Sequence, residues 1–215
     1  MRPIALITGA TAGFGEAIAK KFAQHGYDLI ITGRRNERLE VFKASLEANH
    51  KIEVLTLCFD VRDRAITTHT LTSLPDRWNK VDVLVNNAGL ASGMDHIESG
   101  DIDDWDRMID TNVKGLLYVS RAILPGMVER GKGHVINIGS TAGKEVYDKG
   151  NVYCASKHAV DAITKGMRID LLGKGIKVTQ IAPGAAETEF SEVRFHGDSD
   201  RAKSVYNGYQ PMAAE

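Results

Sequence analysis

The chain lacks most of what would mark an exported, membrane-spanning or metal-dependent protein. It has two cysteines, Cys58 and Cys154, without C-x-x-C spacing, and both read as small buried side chains. No apolar run approaches the ~20 residues that span a bilayer. Neither charge is in excess: the formal net charge is -1, which argues against nucleic acid or an anionic membrane as the main partner. The seven histidines are scattered, and no H-E-x-x-H helix is present, so no metal is expected. His158 follows Lys157 but points about 100° around a helix from it, so it reads as structural or exposed. No export signal is evident either. Met1 to Ile7 runs straight into a glycine loop, which makes the cytoplasm the expected compartment.

What is present is an ordinary globular composition, 43% hydrophobic and 26% charged over 215 residues, enough for one α/β domain with a sizeable core. Strand-length apolar runs alternate with segments of helical period. Strands are expected at 4–8, 29–32, 53–59, 81–85, 134–138 and 177–181. Helices are expected at 14–24, 36–49, 64–74, 103–130 and 151–172. Such alternation implies a doubly wound parallel sheet with helices on both faces. The stretch 184–215 is the least regular and reads as a segment covering a site rather than a second domain.

Two local patterns carry chemistry. In the first, Thr8-Gly9-Ala10-Thr11-Ala12-Gly13-Phe14-Gly15 lies where the first strand turns into a helix. Glycines there allow a tight turn and let backbone N–H groups approach a pyrophosphate. An NAD site wants an acid near the end of the second strand. Here the sequence is Thr32-Gly33-Arg34-Arg35. A guanidinium binds a 2′-phosphate through paired charge-assisted hydrogen bonds, so NADP(H) is expected, with Arg34 as main ligand and Arg35 in support. Both arginines as plain solvated surface is the competing reading.

In the second pattern, Tyr153 and Lys157 share a helix face four residues apart. An ammonium beside a phenol is expected to lower the phenol pKa and so fit it for proton exchange with an alcohol or carbonyl. The Ser-rich turn Gly139-Ser140-Thr141 comes just upstream.

Together with Asp60, Asn86-Asn87-Ala88-Gly89, Asn112 and Pro183-Gly184, these motifs resemble the short-chain dehydrogenase/reductase family over nearly the whole chain. The resemblance implies a Rossmann-like three-layer fold and hydride transfer with a nicotinamide cofactor. It also implies a catalytic set of Asn112, Ser140, Tyr153 and Lys157. Ser140 would bond the substrate oxygen, Tyr153 would exchange its proton, Lys157 would hold the nicotinamide ribose, and Asn112 would help hold a relay water.

For the cofactor it implies Thr8, Gly9, Thr11, Gly13, Phe14 and Gly15 at the pyrophosphate, Asp60 and Val61 at the adenine, and Asn87, Ala88 and Gly89 beside the ribose. Pro183, Gly184 and Thr188 would lie by the nicotinamide. The tail Thr188 to Asp198 is similar to that of the NADP-dependent 3-hydroxy acid dehydrogenases, the serine and allo-threonine branch. That likeness makes Arg194 the candidate cation for a substrate carboxylate, with a solvated loop arginine as the alternative.

The loop Lys144 to Lys149 is more charged than that branch suggests. Lys144 or Lys149 sharing the anion, or lying as exposed surface charge, are both open. Other carbonyl substrates (semialdehydes, diketones, sugars) and a non-catalytic NADPH-sensing module remain as alternatives. Family members usually continue with a further helix and a last strand, so either a trimmed chain, the favoured reading, or a truncated product is expected. The apolar stripes on 103–130 and 151–172 imply core packing, and by resemblance a homotetramer.

Overall fold

The computed structural model describes residues 2–186, 188–204 and 211–213. Glu187, the six residues 205–210 and the last two lie outside the described residues, so part of the expected covering segment does too. Six strands form one sheet: β1 (Ile4–Ile7), β2 (Asp28–Gly33), β3 (Val54–Cys58), β4 (Val83–Asn86), β5 (Gly133–Ile138) and β6 (Ile176–Ile181). All pairings are parallel and the order is β3-β2-β1-β4-β5-β6. The expected strands are all there, each within two residues of its expected ends. Within the described residues β6 pairs with β5 alone.

Central strands read as continuous apolar runs because both sheet faces are covered. In β1 the alternation still sorts side chains. Ile4 and Leu6 join one core with Leu71, Leu116, Ile123 and Val160. Ala5 and Ile7 join the other with Ala19, Ala23, Leu39 and Leu46. The first core is therefore roofed by α3 (Arg64–Thr72), α5 (Leu116–Glu129) and α6 (Asn151–Asp170), and the second by α1 (Gly13–Gln24) and α2 (Asn36–Asn49). Among the described residues no helix is long and apolar enough to cross a membrane.

The helix expected over 103–130 is not one regular helix. It runs as α4 (Ile102–Ile109), a π-helical turn over Asp110–Gly115, and α5. The sequence period cannot register this, because a single widened turn leaves the apolar spacing on either side intact. Two short helices, α7 (Phe190–Arg194) and α8 (Ser199–Ser204), lie in the stretch expected to be least regular.

A buried polar chain crosses the sheet into the first core. Asn86 on β4 donates from Nδ2 to Ser120 Oγ at 3.0 Å and to Asn137 Oδ1 at 2.9 Å. Asn137, its register partner on β5, donates onward to Thr164 Oγ1 at 3.0 Å. Thr164 then donates to the Val160 carbonyl at 2.7 Å. Four polar side chains are thus accommodated with at most one open acceptor, Asn86 Oδ1, instead of several unpaired groups.

Candidate active site

Strand order reverses between β1 and β4, which opens a crevice beyond the carboxyl ends of the strands. The crevice holds about 940 Å³, within the usual range for ligand clefts. Its walls include Gly9, Thr11, Gly13 and Phe14 of the glycine loop, Arg34 and Arg35 after β2, Asp60 and Val61 after β3, and Asn87 to Gly89 after β4. Ser140, Tyr153, Lys157, Pro183, Gly184, Thr188 and Arg194 complete them. The structure thus gathers into one cavity residues that lie almost 190 positions apart.

Three expected site residues stand behind that wall. Thr8 is a brace: its hydroxyl oxygen accepts from Asn87 N at 3.0 Å and Ala88 N at 2.9 Å, tying β1 to the end of β4. Gly15 packs against the Gly9 carbonyl and the Asn87 amide, where an added Cβ would overlap both. Asn112, in the π turn, accepts at Oδ1 from Leu90 N and donates from Nδ2 to Leu90 O, both at 2.8 Å, and to Ser156 Oγ at 3.0 Å. Its side chain pins the backbone that follows β4 and is committed there.

The residues fit a dinucleotide. Helix α1 starts after Ala12, which is extended and offers no capping side chain. The first-turn amides are therefore left for an anion, reinforced by the helix dipole. Gly13 has φ +54, and a Cβ there would press to 3.3 Å against Thr188 on the opposite wall.

On the second-strand side, Arg34 Nη1 lies 3.9 Å from Asp60 Oδ2, and Arg62 grips the same carboxylate at 2.7 Å. Asp60 keeps a lowered pKa although its partial burial works the other way; the hydrogen bonds and charge of Arg62 outweigh burial. Arg35 donates to Thr11 Oγ1 at 2.9 Å and to Glu189 Oε2 at 2.9 Å. The structure brings both arginines to the crevice wall beyond the end of β2.

Lys157 is buried, and its Nζ donates to the Ile138 carbonyl at 3.0 Å. Burial lowers its pKa to about 8. Tyr153 differs from expectation. Its pKa is pushed up to about 12, chiefly by burial, against the smaller lowering effect of a hydrogen bond with Ser140. Lys157 gives one of its three donors to the Ile138 carbonyl, and burial of the phenol outweighs the influences that lower its pKa, so the sequence spacing alone gave the wrong direction. Ser140 also caps the turn Thr141–Gly143 by accepting from Ala142 N at 3.1 Å.

The covering segment closes one side of the cavity. Phe190 meets Tyr153 edge-on, with ring centroids 5.8 Å apart. Arg194 is only 5% exposed. It donates from Nε to Gly93 O at 3.0 Å and from Nη1 to Tyr147 Oη at 3.2 Å, and its guanidinium lies 5.9 Å from the Tyr153 ring centroid. No carboxylate among the described residues lies within ion-pairing distance of it. Lys144 turns away to Asp161, whereas Lys149, at φ +58, lines the cavity.

Sequence reasoning passed over Tyr147, Arg38 and Glu189. A phenol in an atypical loop gave no signal. Arg38 and Glu189 are 151 residues apart and meet only through the fold.

Residues 3–198 match the family of short chain dehydrogenases. The chain is 51% identical over 213 residues to the NADP-dependent 3-hydroxy acid dehydrogenase of Salmonella typhi, covering 99% of this chain and 84% of that one. It is 45% identical over 216 residues to sulfoacetaldehyde reductase 2 of Chromohalobacter salexigens, covering 85% of that protein. A solved structure described as the closed form of serine dehydrogenase complexed with NADP+ superposes with a TM-score of 0.93 at 50% identity, over 99% of this chain and 84% of the other. On the family match and these identities, the chain belongs to the short-chain dehydrogenase family.

Proposed function

We propose that the protein is an NADP(H)-dependent oxidoreductase acting on the 3-hydroxyl of small hydroxy acids of the serine, allo-threonine or 3-hydroxyisobutyrate type. The observation that carries this reading is Arg194. A nearly buried guanidinium with no carboxylate partner among the described residues is costly unless an anion joins it. It lies beside Tyr153, so the anion it would hold belongs to a molecule whose alcohol meets the phenol. The dehydrogenase relatives named for NADP and 3-hydroxy acids support the same chemistry.

The nicotinamide cofactor, when bound, supplies the hydride acceptor or donor. The chain supplies orientation and one proton. Ser140 bonds the substrate oxygen, and Tyr153 takes its proton in oxidation or returns one in reduction. Lys157 holds the ribose and stabilises the developing phenolate. Because the Asn112 side chain is engaged by Leu90 and Ser156, any relay water is left to its backbone carbonyl. Arg34 and Arg35 read the 2′-phosphate. The stretch 184–215 covers the substrate.

A second reading, reduction of a short aldehyde bearing an anionic group, is favoured by the sulfoacetaldehyde reductase relative and by the same Arg194. A spectrophotometric screen decides between them: hydroxy acids and neutral alcohols with NADP+ and NAD+, and semialdehydes, diketones, sugars and sulfoacetaldehyde with NADPH. Turnover of hydroxy acids no better than of neutral alcohols would remove the first reading. Tight NADPH binding with no turnover across the panel would leave a sensing module instead. A cytoplasmic homotetramer is proposed as well. Exposed Leu117 on α5 and Ile169 on α6 favour subunit contact there, and light scattering after size exclusion tests it.

A further inference from the structure

Glu189 follows Thr188 on the covering segment, on the wall of the crevice opposite α2. Its two carboxylate oxygens are divided between two guanidiniums. Arg35 Nη1 donates to Oε2 at 2.9 Å and Arg38 Nη1 donates to Oε1 at 2.7 Å. Arg35 is steadied from behind by Thr11, through Oγ1 at 2.9 Å and the carbonyl at 3.3 Å. One anion bridging two arginines is the arrangement in which such side chains take a phosphate.

We propose that Glu189 is a cofactor-selectivity residue, an internal anion on Arg35 and Arg38 that the 2′-phosphate of a dinucleotide has to displace. The inference rests on Arg35 being a 2′-phosphate ligand. A 2′-phosphate and the carboxylate repel each other and seek the same donors. A dinucleotide with a free 2′-hydroxyl makes no such demand and leaves the bridge in place. Glu189 therefore weakens NADP binding and not NAD binding. It sets selectivity below what the two arginines alone would give, and it ties the covering segment to α2 until the phosphate arrives. All three side chains are partly exposed, 41–51% for Glu189, Arg35 and Arg38, so solvent screens the bridge and the effect is moderate.

Equilibrium titration of NADPH and NADH, followed by nicotinamide fluorescence, tests this on the parent protein, Glu189→Gln, Glu189→Ala and Arg35→Ala. Both Glu189 variants should bind NADPH about two- to tenfold more tightly, with NADH affinity unmoved. Because Glu189 is exposed, both variants are expected to fold. Unimproved NADPH affinity in the Glu189 variants, beside a weakened Arg35→Ala, overturns the competition alone. Unchanged NADPH affinity in Arg35→Ala overturns the arginine reading, and the competition with it. Equal tightening of NADPH and NADH overturns the phosphate-specific claim, since the gain would then come from the covering segment in general.

Discussion

Gly93 and Arg194 are joined twice: Gly93 N–H donates to the Arg194 carbonyl at 2.9 Å, and Arg194 Nε–H donates to the Gly93 carbonyl at 3.0 Å. The first bond fixes the backbone of the covering segment whatever side chain stands at 194. The second holds the guanidinium on the cavity wall, where Nη1 donates to Tyr147 Oη.

Arg194→Ala should therefore keep the backbone tether and lose the cation. KM for L-serine or 3-hydroxyisobutyrate should rise about ten- to a hundredfold, the worth of a hydrogen bond to a charged group, with a smaller change for a neutral alcohol. Steady-state kinetics on the two substrate types check this. An equal rise in both would mean that Arg194 shapes the pocket without reading a carboxylate.

Tyr153→Phe keeps the ring that packs on Phe190 and deletes the acid. Turnover should fall by ~10²–10⁴, the usual contribution of one acid–base group, while NADPH affinity stays close to the parent's. A variant with near-parent kcat would remove Tyr153 from the proton transfer.

The pH profile follows from the two shifts. Alcohol oxidation needs the phenol as acceptor, and with a pKa raised to about 12 the ionised fraction is small at neutrality. It grows about tenfold per pH unit. Lys157, lowered to about 8, loses its charge above that value and with it the support for the phenolate. Oxidation rates should thus climb steeply up to about pH 8 and less steeply beyond. The Tyr153→Phe profile should be flat. A parent profile that is level from pH 6 to 9 contradicts the shift on Tyr153.

The polar chain through the core makes a separate prediction about stability. Asn137→Ala removes the acceptor for Asn86 and the donor for Thr164, leaving both buried without those partners. The loss should be about 2–4 kcal/mol, read from urea unfolding. Asn137→Asp should not restore it, because a carboxylate cannot donate to Thr164 and its burial is costly.

Much of this was legible in the sequence because it is written in short-range pattern. The helix 36–49 appears with those limits, and β1 begins at Ile4, since turn residues and apolar periodicity are local signals. The crevice members follow from motifs fixed to strand ends. What escaped depends on direction and distance. The π turn at 110–115 hides inside a continuous apolar stripe. The 153/157 spacing says that two side chains share a face but not that Lys157 donates to Ile138 while Tyr153 is desolvated. Thr8, Gly15 and Asn112 carry the motif yet brace the wall from behind. Arg38 and Glu189 carry no motif and meet through tertiary structure alone.

Parallel strands have no hairpin between them to set how far one slides along the next, and β4 and β5 are joined only through α4, the π turn and α5. The amide pair Asn86–Asn137 acts as a detent for that sliding. A slip of one residue would strand several hydrogen-bonding groups at once in an apolar interior. Ser140 lies three positions past Asn137, and Asn87 one past Asn86. The height of the Ser140 hydroxyl relative to the end of β4 is thus calibrated by a lock buried beneath both.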